Sequence, residues 1–397
     1  MLDIVQKFGF WPKSLIDLWK SKSNWLWFHA VSVGEFNAIW PLILNIHKEK
    51  SNYPIMISCT TKAGYKLAKE KAKENNFLVF YFPFDLPPVI SSLLSYAKVK
   101  LLVIVETEIW PVTLSECYKR KIPIVLVNAR LSDKSYKNYR LFKFYFKNII
   151  NLFTEVLAQS ESDANKFLSL GLIKTKIKTL GNIKFVTYID PKTKNGNGLI
   201  AESNNNKNII KIIFASTHPG EEEIAINIFK ELFSRFKNIR LIIAPRHVNR
   251  VSEIVELVKS NKLNPVLRSR NETVKLQDDI FILDTIGELT KYYSESQITI
   301  VGGTFAKIGG HNIIEPIRAK SYTIIGPHDF KIKELSNIFK TKQALVQVKD
   351  QKELGTKIKE AITNSELREN TIKNGLKIIE ENKNVLNETI QHILAYI

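Results

Sequence analysis

Short apolar runs rich in β-branched residues recur along the chain and alternate with longer segments whose apolar positions follow a helical period. In the first half the predicted strands are Trp25–Val31, Tyr53–Cys59, Phe77–Pro83, Leu101–Glu106, Pro123–Ala129, Glu155–Ser160 and Lys176–Gly181. In the second half they are Lys211–Ala215, Arg240–Ala244, Phe281–Leu283, Gln297–Val301 and Tyr322–Gly326. Because these runs are continuously apolar and helices separate them, the pattern predicts an α/β fold with parallel sheets covered on both faces.

A polar stretch near the middle of the chain predicts two domains. Its composition is rich in Asn, Gly and Lys, which is typical of a linker, and we place that linker at residues 190–208. A length of 397 residues also exceeds what one hydrophobic core usually holds. We therefore predict two doubly wound domains at residues 25–189 and 209–397, with the last helices either staying with the second domain or packing back on the first.

Several connecting segments between the predicted strands also have a predicted form. The stretch from Ser32 to Glu35 is predicted as a loop that precedes a helix. Residues Tyr139 to Phe153 are predicted as one aromatic, basic helix, and Ser260 to about Asp279 as a polar insertion.

The charge balance is strongly basic, with 58 Lys and Arg residues against 39 Asp and Glu residues and a net charge of +19. Such an excess favours polyanionic partners: nucleic acid, an anionic membrane face or a phosphorylated substrate. The two cysteines, Cys59 and Cys117, exclude a disulfide framework and a multi-cysteine metal site. No run reaches the ~18 uncharged apolar residues that a membrane-spanning helix needs.

Residues 1–24 form a basic, aromatic N-terminal segment. Trp11, Trp19, Trp25 and Trp27 fall in or just after it, with Phe8 and Phe10 beside them and lysines between them. Two interpretations are open: the aromatic and basic side chains lie at a membrane interface, or the segment packs on the first domain.

The stretch from Val301 to Pro316, VGGTFAKIGGHNIIEP, combines two Gly-Gly pairs with a helix start. A strand precedes it, and Pro316 fits only the first turn of a helix, so that helix begins no earlier than about Asn312. Backbone amides in such a loop can bind an anion, most often phosphate. The alternative is a tight turn followed by a capped helix, since Asn312 and Glu315 have the spacing of a capping box.

Candidate catalytic carboxylates follow strands in the first half. Glu35 is a candidate general base, or else a first-turn glutamate that only complements the helix dipole. Glu106 and Glu108 share one face of an extended chain, where they would orient a hydroxyl or pair with a lysine. Arg130 and Lys184 are candidate cations at the edge of a cleft, or solvated side chains.

The second half carries candidate anion-binding residues after its strands. Ser216 and Thr217 precede a helix, where they would bind an anion or serve as an ordinary cap. Arg246 directly follows Pro245 and would bind phosphate bidentately or form a surface ion pair. The seven histidines show no metal-ligand spacing, so we expect neither a metal site nor a bound cofactor.

Taken in order, these motifs resemble the Kdo transferases, which move 3-deoxy-D-manno-octulosonic acid (Kdo) from CMP-Kdo to a lipid A precursor. The resemblance covers nearly the whole chain from Trp25 onward. The matching motifs are His29 to Glu35, Glu106 to Pro111, Asn128 to Ser132, Ser216 to His218, Pro245 to His247, Ile286 to Leu289, and Gly309 to Pro316.

The resemblance implies a GT-B architecture of two Rossmann-like domains that face each other across a cleft, with the acceptor on the first and CMP-Kdo on the second. It implies an inverting, metal-independent transfer in which Glu35 is the base and Glu106, or else Glu108, assists. The residues it places at the donor are Ser216, Thr217, Pro245, Arg246, Ile286, Gly287, Glu288, Gly310, His311, Asn312 and Glu315. Arg246 and the Ser216-Thr217 turn would bind the phosphate, and Glu315 the ribose. Glu108, Arg130 and Lys184 would line the acceptor side or the cleft.

The implied partners are CMP-Kdo, a lipid A precursor such as lipid IVA, and the anionic inner leaflet, with no nucleic acid. The implied location is the cytoplasmic face of the inner membrane. The family's usual N-terminal anchor is not seen here, so either the attachment is peripheral or the sequence lacks part of its N-terminus. Two positions depart from the family pattern: Ala63 replaces a Thr, and Val112 replaces an Asn. Two alternatives remain: another GT-B glycosyltransferase or sugar-nucleotide epimerase, and a non-catalytic basic protein that binds lipid or nucleic acid.

Overall fold

The computed structural model describes residues 2–185, 209–270 and 279–397. The chain divides into two compact units. The first unit comprises Met1–Tyr188 and Glu381–Ile397, and the second comprises Ile189–Glu380. The predicted linker at residues 190–208 lies outside the described residues.

The first unit is built on a parallel sheet that has seven strands in the described residues, in the order β3-β2-β1-β4-β5-β6-β7. The strands are β1 (Ser23–His29), β2 (Ile55–Cys59), β3 (Leu78–Tyr81), β4 (Lys98–Val105), β5 (Ile124–Ala129), β6 (Glu155–Ala158) and β7 (Ile177–Thr179). Alternate residues of one strand enter two separate cores: Trp25 and Trp27 lie in one, and Leu26 and Phe28 in the other. Both faces of the sheet are therefore covered, as the continuous apolar runs predict.

Helices cover both faces of this sheet. Those before the second unit are α1 (Leu2–Lys7), α2 (Lys13–Ser21), α3 (Val33–Glu49), α4 (Lys62–Ala72), α5 (Pro87–Tyr96), α6 (Pro111–Lys119), α7 (Asp133–Leu141), α8 (Lys143–Ile150) and α9 (Glu161–Ser169). Two predictions are wrong here. The single helix from Tyr139 to Phe153 is two helices that meet at Phe142, and the loop predicted to reach Glu35 ends at Ser32, because α3 begins at Val33.

The tryptophans near the N-terminus are core residues. Trp11, Trp19, Trp25 and Trp27 are all buried in the first unit. The indole N–H of Trp25 donates to the Trp19 carbonyl at 3.1 Å, and that of Trp27 donates to Ser58 Oγ at 2.8 Å. For the tryptophans the membrane-interface interpretation is therefore wrong, because each gains more from burial in the core. Phe8 and Phe10 of the same segment are exposed, and for them the interpretation stays a prediction.

The second unit repeats the plan, with seven parallel strands in its described residues in the order β10-β11-β9-β8-β12-β13-β14. They are β8 (Ile210–Thr217), β9 (Ile239–Pro245), β10 (Asn264–Leu267), β11 (Asp279–Ile282), β12 (Ile298–Val301), β13 (Tyr322–Ile325) and β14 (Val346–Gln347). The predicted strands all occur, with ends shifted by a few residues. The edge strands β10 and β14 were not predicted, and β10 lies inside the segment predicted as a polar insertion.

The remaining helices are α10 (Glu221–Phe233), α11 (Val251–Ser260), α12 (Leu289–Glu295), α13 (Ile314–Arg318), α14 (Lys333–Thr341), α15 (Gln351–Thr363), α16 (Ser365–Glu381) and α17 (Val385–Leu394). Short 3₁₀ segments lie at Lys73–Asn75, Lys174–Lys176, Ile183–Phe185, Val248–Arg250 and Arg268–Arg270. The last helix, α17, belongs to the first unit, where Val385, Ile390 and Ile393 enter the core.

The two sheets share one topological feature that positions the candidate residues. In each sheet the first strand is central: β1 lies between β2 and β4, and β8 lies between β9 and β12. Ligands of doubly wound folds bind at the carboxyl edge of the sheet beside such a reversal of strand order. The prediction of an α/β fold with two doubly wound units is confirmed.

Candidate functional site

In the first unit, Glu35 lies in the first turn of α3, directly after β1. Ser32 caps this helix, with its hydroxyl accepting from Glu35 N at 3.4 Å and donating to Glu35 Oε1 at 3.1 Å. Glu35 Oε2 accepts from Val31 N at 2.7 Å. The carboxyl group is therefore folded back against the end of β1 in a fixed position, as in a capping box.

The surroundings of Glu35 raise its pKa to about 7. Burial is the largest cause, and the negative charges of Glu106 and Glu108 add to it. The hydrogen bonds from Val31 and Ser32 act in the opposite direction without cancelling the effect. A carboxylate with a pKa near 7 can accept a proton from a hydroxyl group at neutral pH far better than an ordinary glutamate.

Glu106 directly follows β4 and is held in an unusual backbone conformation. Its φ is 62°, in the left-handed region that non-glycine residues seldom adopt. The Lys184 ammonium pairs with Glu106 Oε1 at 2.5 Å, and both side chains are mostly buried. The sequence left open whether one of the paired carboxylates binds a lysine, and Glu106 does. Strain of this kind persists where surrounding contacts enforce it, often at functional sites.

Glu108 lies two residues further on and has a raised pKa. Burial is the main cause, followed by the charge of Glu106, while a hydrogen bond from Trp110 opposes them. At the start of α6, Asp85 accepts from Val112 N at 2.9 Å and from Thr113 N at 2.7 Å. Asp85 therefore caps α6 through backbone amides, a contact that the valine at position 112 leaves intact.

Several buried polar side chains at this edge of the first sheet have atoms without a hydrogen-bond partner among the described residues. Buried atoms that have no partner among the described residues include Thr60 Oγ1 after β2, Asn128 Nδ2 in β5, Gln159 Oε1 after β6 and Asn182 Nδ2 after β7. Each costs about 1–3 kcal/mol when left unsatisfied, so a group of them at one edge is typical of a ligand site. Sequence reasoning missed this set, although a polar residue at the end of each strand was the available signal.

Arg130 and Lys184 occupy the same edge of the first sheet. Arg130 directly follows β5, and Lys184 lies in the 3₁₀ segment after β7. Together with Glu35 after β1 and Glu106 after β4, they place charged groups at the ends of four strands of one parallel sheet. The structure therefore brings the candidate residues of the first half to one edge.

In the second unit, backbone amides of the glycine-rich loop after β12 bind a carboxylate of the protein itself, that of Glu221. Glu221 is only 2% exposed, and its carboxylate accepts from His218 N and Gly303 N at 2.9 and 2.8 Å. It also accepts from Phe305 N and Ala306 N at 2.9 and 3.1 Å. The amides of Gly303, Phe305 and Ala306 are therefore not open to phosphate, because a buried glutamate binds them. An anion site elsewhere in the stretch from Val301 to Pro316 stays a prediction.

Two glycine positions are fixed by this packing. A Cβ at Gly302 would lie 2.2 Å from the Ser216 carbonyl oxygen, so only glycine allows the ends of β8 and β12 to approach. Gly310 has a φ of 88°, and its N–H donates to the Gly303 carbonyl at 2.9 Å. The loop is therefore closed on itself and rigid at the point where it passes β8.

Three histidines lie close together beside this loop: His218, His311 and His247, whose ring centroid is 5.9 Å from that of His218. The Nε2 atoms of His218 and His311 are 2.8 Å apart, with one donating to the other and the ring planes 7° from parallel. Burial, then the charges of His218 and Arg246, lower the pKa of His311 to about 4. Burial is also the largest cause of the lowered pKa of His218. His311 is therefore neutral at pH 7, and one of the positive charges that act on it is the exposed Arg246, which follows Pro245 at the end of β9.

Ser216 and Thr217 end β8. Ser216 has a φ of 57° and is half-buried, whereas Thr217 is buried with its hydroxyl donating to Glu222 Oε1 at 2.8 Å. Glu222 is in turn bound by Arg250 at 2.9 Å. The Thr217 hydroxyl is therefore engaged beneath the surface, and its predicted donor contact stays a prediction.

The other predicted donor residues follow β11 and β12. Ile286 is exposed, and Gly287 has a φ of 90°. Glu288 pairs with Arg268 at 2.9 Å. Burial raises the pKa of Glu288, but the hydrogen bonds from Thr285 and Arg268 outweigh this opposite effect, so the pKa is lowered.

Asn312 and Glu315 form the polar start of α13. Asn312 Nδ2 donates to Glu315 Oε1 at 2.9 Å, and Ile314 N donates to Asn312 Oδ1 at 2.9 Å. Burial raises the pKa of Glu315 more than the contacts with Asn312 and Arg318 lower it. The helix begins at Ile314, in agreement with the limit that Pro316 sets.

In the described parts of the chain, no three His, Cys, Asp or Glu side chains are grouped closely enough to hold a metal ion. Among these same residues, no helix is both long enough and apolar enough to cross a bilayer.

Comparison with known proteins identifies the family. Residues 3–187 match the family model described as 3-deoxy-D-manno-octulosonic-acid transferase (kdotransferase). A 3-deoxy-D-manno-octulosonic acid transferase from Rickettsia felis is 34% identical over 375 residues, which cover 94% of this chain and 79% of that protein. A transferase of the same name from Haemophilus influenzae is 30% identical over 374 residues, covering 94% of this chain and 87% of that protein.

Solved structures agree at the level of the fold. The glycotransferase of kitacinnamycin superposes with a TM-score of 0.55 at 8% identity, covering 95% of this chain and 100% of its own. A UDP-GlcNAc 2-epimerase from Neisseria meningitidis gives a TM-score of 0.53 at 14% identity, covering 93% and 100%. These likenesses show a GT-B-like fold of two α/β domains. The relatives identify the function class, so the predicted resemblance is confirmed: the chain belongs to the 3-deoxy-D-manno-octulosonic acid transferase family, the glycosyltransferases that transfer Kdo in lipopolysaccharide biosynthesis.

Proposed function

We propose that this protein transfers Kdo from CMP-Kdo to a sugar hydroxyl of a lipid A precursor, lipid IVA, with inversion at the anomeric carbon. The observation that carries the proposal is the fixed, half-buried Glu35 carboxyl with its pKa raised to about 7. Membership of the family identifies Kdo as the transferred sugar, and the Glu35 carboxyl is the base that a direct displacement needs.

In the proposed reaction, the acceptor hydroxyl oxygen bonds to the anomeric carbon of Kdo while the bond from that carbon to the CMP phosphate oxygen breaks. The hydroxyl proton passes to Glu35, and CMP leaves with the bonding electron pair. Glu106 assists by its negative charge, which helps to keep Glu35 basic, and Lys184 holds Glu106 in place. Glu108 and Arg130 lie at the same edge and bind the acceptor.

The donor residues are proposed at the carboxyl edge of the second sheet. Arg246 is exposed beside His311 and binds the single phosphate of CMP, where its charge stabilises the leaving group. Ser216 and the start of α13 complete the nucleotide site, with Glu315 at the ribose. One phosphate and one arginine need no bridging metal, so we expect transfer to continue in the presence of EDTA.

The test is transfer from CMP-Kdo to lipid IVA by the purified protein, with the product read by mass spectrometry. Glu35→Gln keeps an oxygen for the Val31 amide but cannot take a proton, so turnover should fall at least about a hundredfold while CMP-Kdo still binds. The matched control is Glu161→Ala, which removes another first-turn glutamate of the same unit and should leave turnover unchanged.

Two outcomes contradict the proposal. Full turnover by Glu35→Gln removes Glu35 from the chemistry and favours its alternative role as a helix-capping residue. Competition by UDP rather than by CMP shows a different nucleotide-sugar donor, as expected for another GT-B glycosyltransferase or epimerase.

The proposed acceptor is a lipid, so we also propose that the protein acts peripherally at the cytoplasmic face of the inner membrane. The net charge of +19 supports attraction to an anionic leaflet.

A further inference from the structure

The most exposed aromatic surface of the described chain outside the candidate site is the junction of α7 and α8. Leu141 is 79% exposed, Phe142 65%, Phe144 87% and Tyr145 55%. We call these four residues the exposed tip. Monomeric proteins rarely present so many large apolar side chains together unless the surface meets a partner.

The tip is presented by a folded structure. Below it, the rings of Tyr139 and Phe146 are in contact at 4.1 Å between centroids. Tyr136, Tyr139 and Ile149 pack against the core of the first unit, and Ile150 belongs to it. The two helices therefore have a buried inner side and hold the tip outward, so its exposure is not the result of a loose chain end.

Basic side chains surround the tip with almost no acidic counterpart. Between residues 133 and 150 the sequence contains Lys134, Lys137, Arg140, Lys143 and Lys147, all exposed, against one acidic residue, Asp133. Asp133 is itself paired with Lys166 at 2.8 Å. An apolar tip within a basic ring matches a bilayer surface that carries anionic lipids, since aromatic rings settle at the interface and lysines bind the headgroups.

The position of the two helices connects this surface with the candidate site. The α7 helix begins three residues after Arg130, at the carboxyl edge of the first sheet. Tyr139 on α7 lies close enough to Glu108 for that charge to act on its hydroxyl, in addition to burial. With nine residues at 1.5 Å each, α7 extends about 13 Å from that edge to the tip. A lipid with its acyl chains in the bilayer would then have its sugar near the site.

We propose that the exposed tip and its basic ring form a membrane-docking surface that binds anionic phospholipid bilayers and presents the lipid acceptor to the first unit. The choice of acceptor rests on the proposed function, whereas the binding to anionic bilayers does not.

The experiment measures binding of the full chain to vesicles of phosphatidylcholine with phosphatidylglycerol, and to phosphatidylcholine alone, by co-sedimentation. Wild-type protein should prefer the anionic vesicles and release them at high salt. Leu141→Ser with Phe144→Ser should weaken binding at least about tenfold, because two apolar anchors are lost. Lys134→Glu, Lys137→Glu and Lys143→Glu together should weaken it about a hundredfold.

The matched control changes the same number of exposed lysines in the second unit, Lys352→Glu, Lys359→Glu and Lys373→Glu. It has the same change in net charge and should keep most vesicle binding. Unchanged binding by the tip variant, or equal loss in the control, overturns the proposal. The proposal is also overturned if RNA displaces wild-type protein from vesicles, or if the wild-type protein self-associates and the tip variant does not.

Transfer assays separate this proposal from the proposed function. The tip variant should lose turnover with lipid IVA in vesicles and keep it with lipid IVA dispersed in detergent. If no preparation transfers Kdo at all, the proposed function fails, while the vesicle measurement still decides the docking surface.

Discussion

Single carboxyl groups show most clearly how position changes chemistry in this protein. Glu35 and Glu221 both lie in the first turn of a helix that follows the central strand of its sheet. Glu35 has two hydrogen-bond donors and two neighbouring carboxylates, and its pKa is raised to about 7. Glu221 accepts from four backbone N–H groups and holds a loop. The first is therefore suited to proton transfer and the second to structure.

The raised pKa of Glu35 predicts the pH dependence of transfer. The base must be ionised, so kcat/KM should rise with pH and level off above an inflection near 7. Glu106→Gln removes one negative charge and frees Lys184, and both changes favour ionised Glu35, so the inflection should move to lower pH. The measurement is kcat/KM against pH for both proteins, with CMP-Kdo varied. An inflection that moves upward contradicts the assigned interaction.

The same shift predicts how stability depends on pH. The folded pKa of Glu35 is raised from the ordinary value of 4.5 to about 7, so the unfolded chain releases this proton first. The stability that protonated Glu35 provides is fully present below about 4.5 and is lost as pH rises through 7. Glu35→Gln should therefore be more stable than wild type at pH 8, by up to about 3 kcal/mol, and nearly equal at pH 4. Urea unfolding at both pH values measures this difference, and an equal difference at the two values would contradict it.

At the scale of elements, the contact between the β8 end and the glycine-rich loop determines the shape of the donor edge. Two interactions hold it: the Glu221 carboxylate under the loop amides, and the close approach of Gly302 to the Ser216 carbonyl. Neither depends on a ligand. The loop should therefore have the same form before and after a nucleotide binds.

Replacing Glu221 by alanine should destabilise the second unit by about 4 kcal/mol or more, because several buried amides lose a charged acceptor. The control is Glu223→Ala in the same helical turn, where the side chain is exposed and the change should stay within about 0.5 kcal/mol. Urea unfolding measures both, and CMP binding should weaken only in Glu221→Ala. Equal stability of the two variants would show that the loop does not need this carboxylate.

A second matched pair tests the glycine contact. Gly302→Ala places a Cβ 2.2 Å from a carbonyl oxygen, so the strand ends must separate, and we expect a loss of about 3 kcal/mol or more. Gly355→Ala in α15 meets nothing within 4 Å and should stabilise by about 0.5–1 kcal/mol through helix propensity. Thermal unfolding shows the two shifts in opposite directions. A neutral Gly302→Ala would mean that the contact relaxes easily.

The elements also show what sequence reasoning reached and what it could not. Long, continuously apolar strands were predicted because periodicity reports burial on both faces. The edge strand β14 has only two residues, and β10 begins with an asparagine and a proline, so neither gives a continuous apolar run. The break between α7 and α8 falls at Phe142, where no glycine or proline marks it. The burial of Glu221 was invisible because Glu221, Glu222 and Glu223 look alike as first-turn acids until the loop packs over one of them.

At the scale of the whole molecule, the chain builds the first unit from both of its ends. The part of the chain before the second unit contains all seven described strands of the first sheet, the second unit follows, and Glu381–Ile397 returns to the first unit. The return is specific: Asn182 N donates to Asn382 Oδ1 at 2.9 Å, and His392 lies 2.9 Å from Glu155. The stability of the first unit therefore depends on residues that are synthesised after the second.

This connectivity gives a prediction about which unit unfolds. Ile390→Ala with Ile393→Ala removes two buried side chains of α17 from the core of the first unit, at a cost of about 5 kcal/mol. Since domain stabilities are about 5–15 kcal/mol, this should open most of the first unit. Hydrogen exchange should show β1 and β2 losing protection while β12 and β13 in the second unit keep theirs. The control, Glu388→Ala with Gln391→Ala, changes exposed positions of the same helix and should leave both sheets protected. If β12 and β13 lose protection instead, α17 stabilises the second unit, and the assignment of the C-terminal helix to the first unit is wrong.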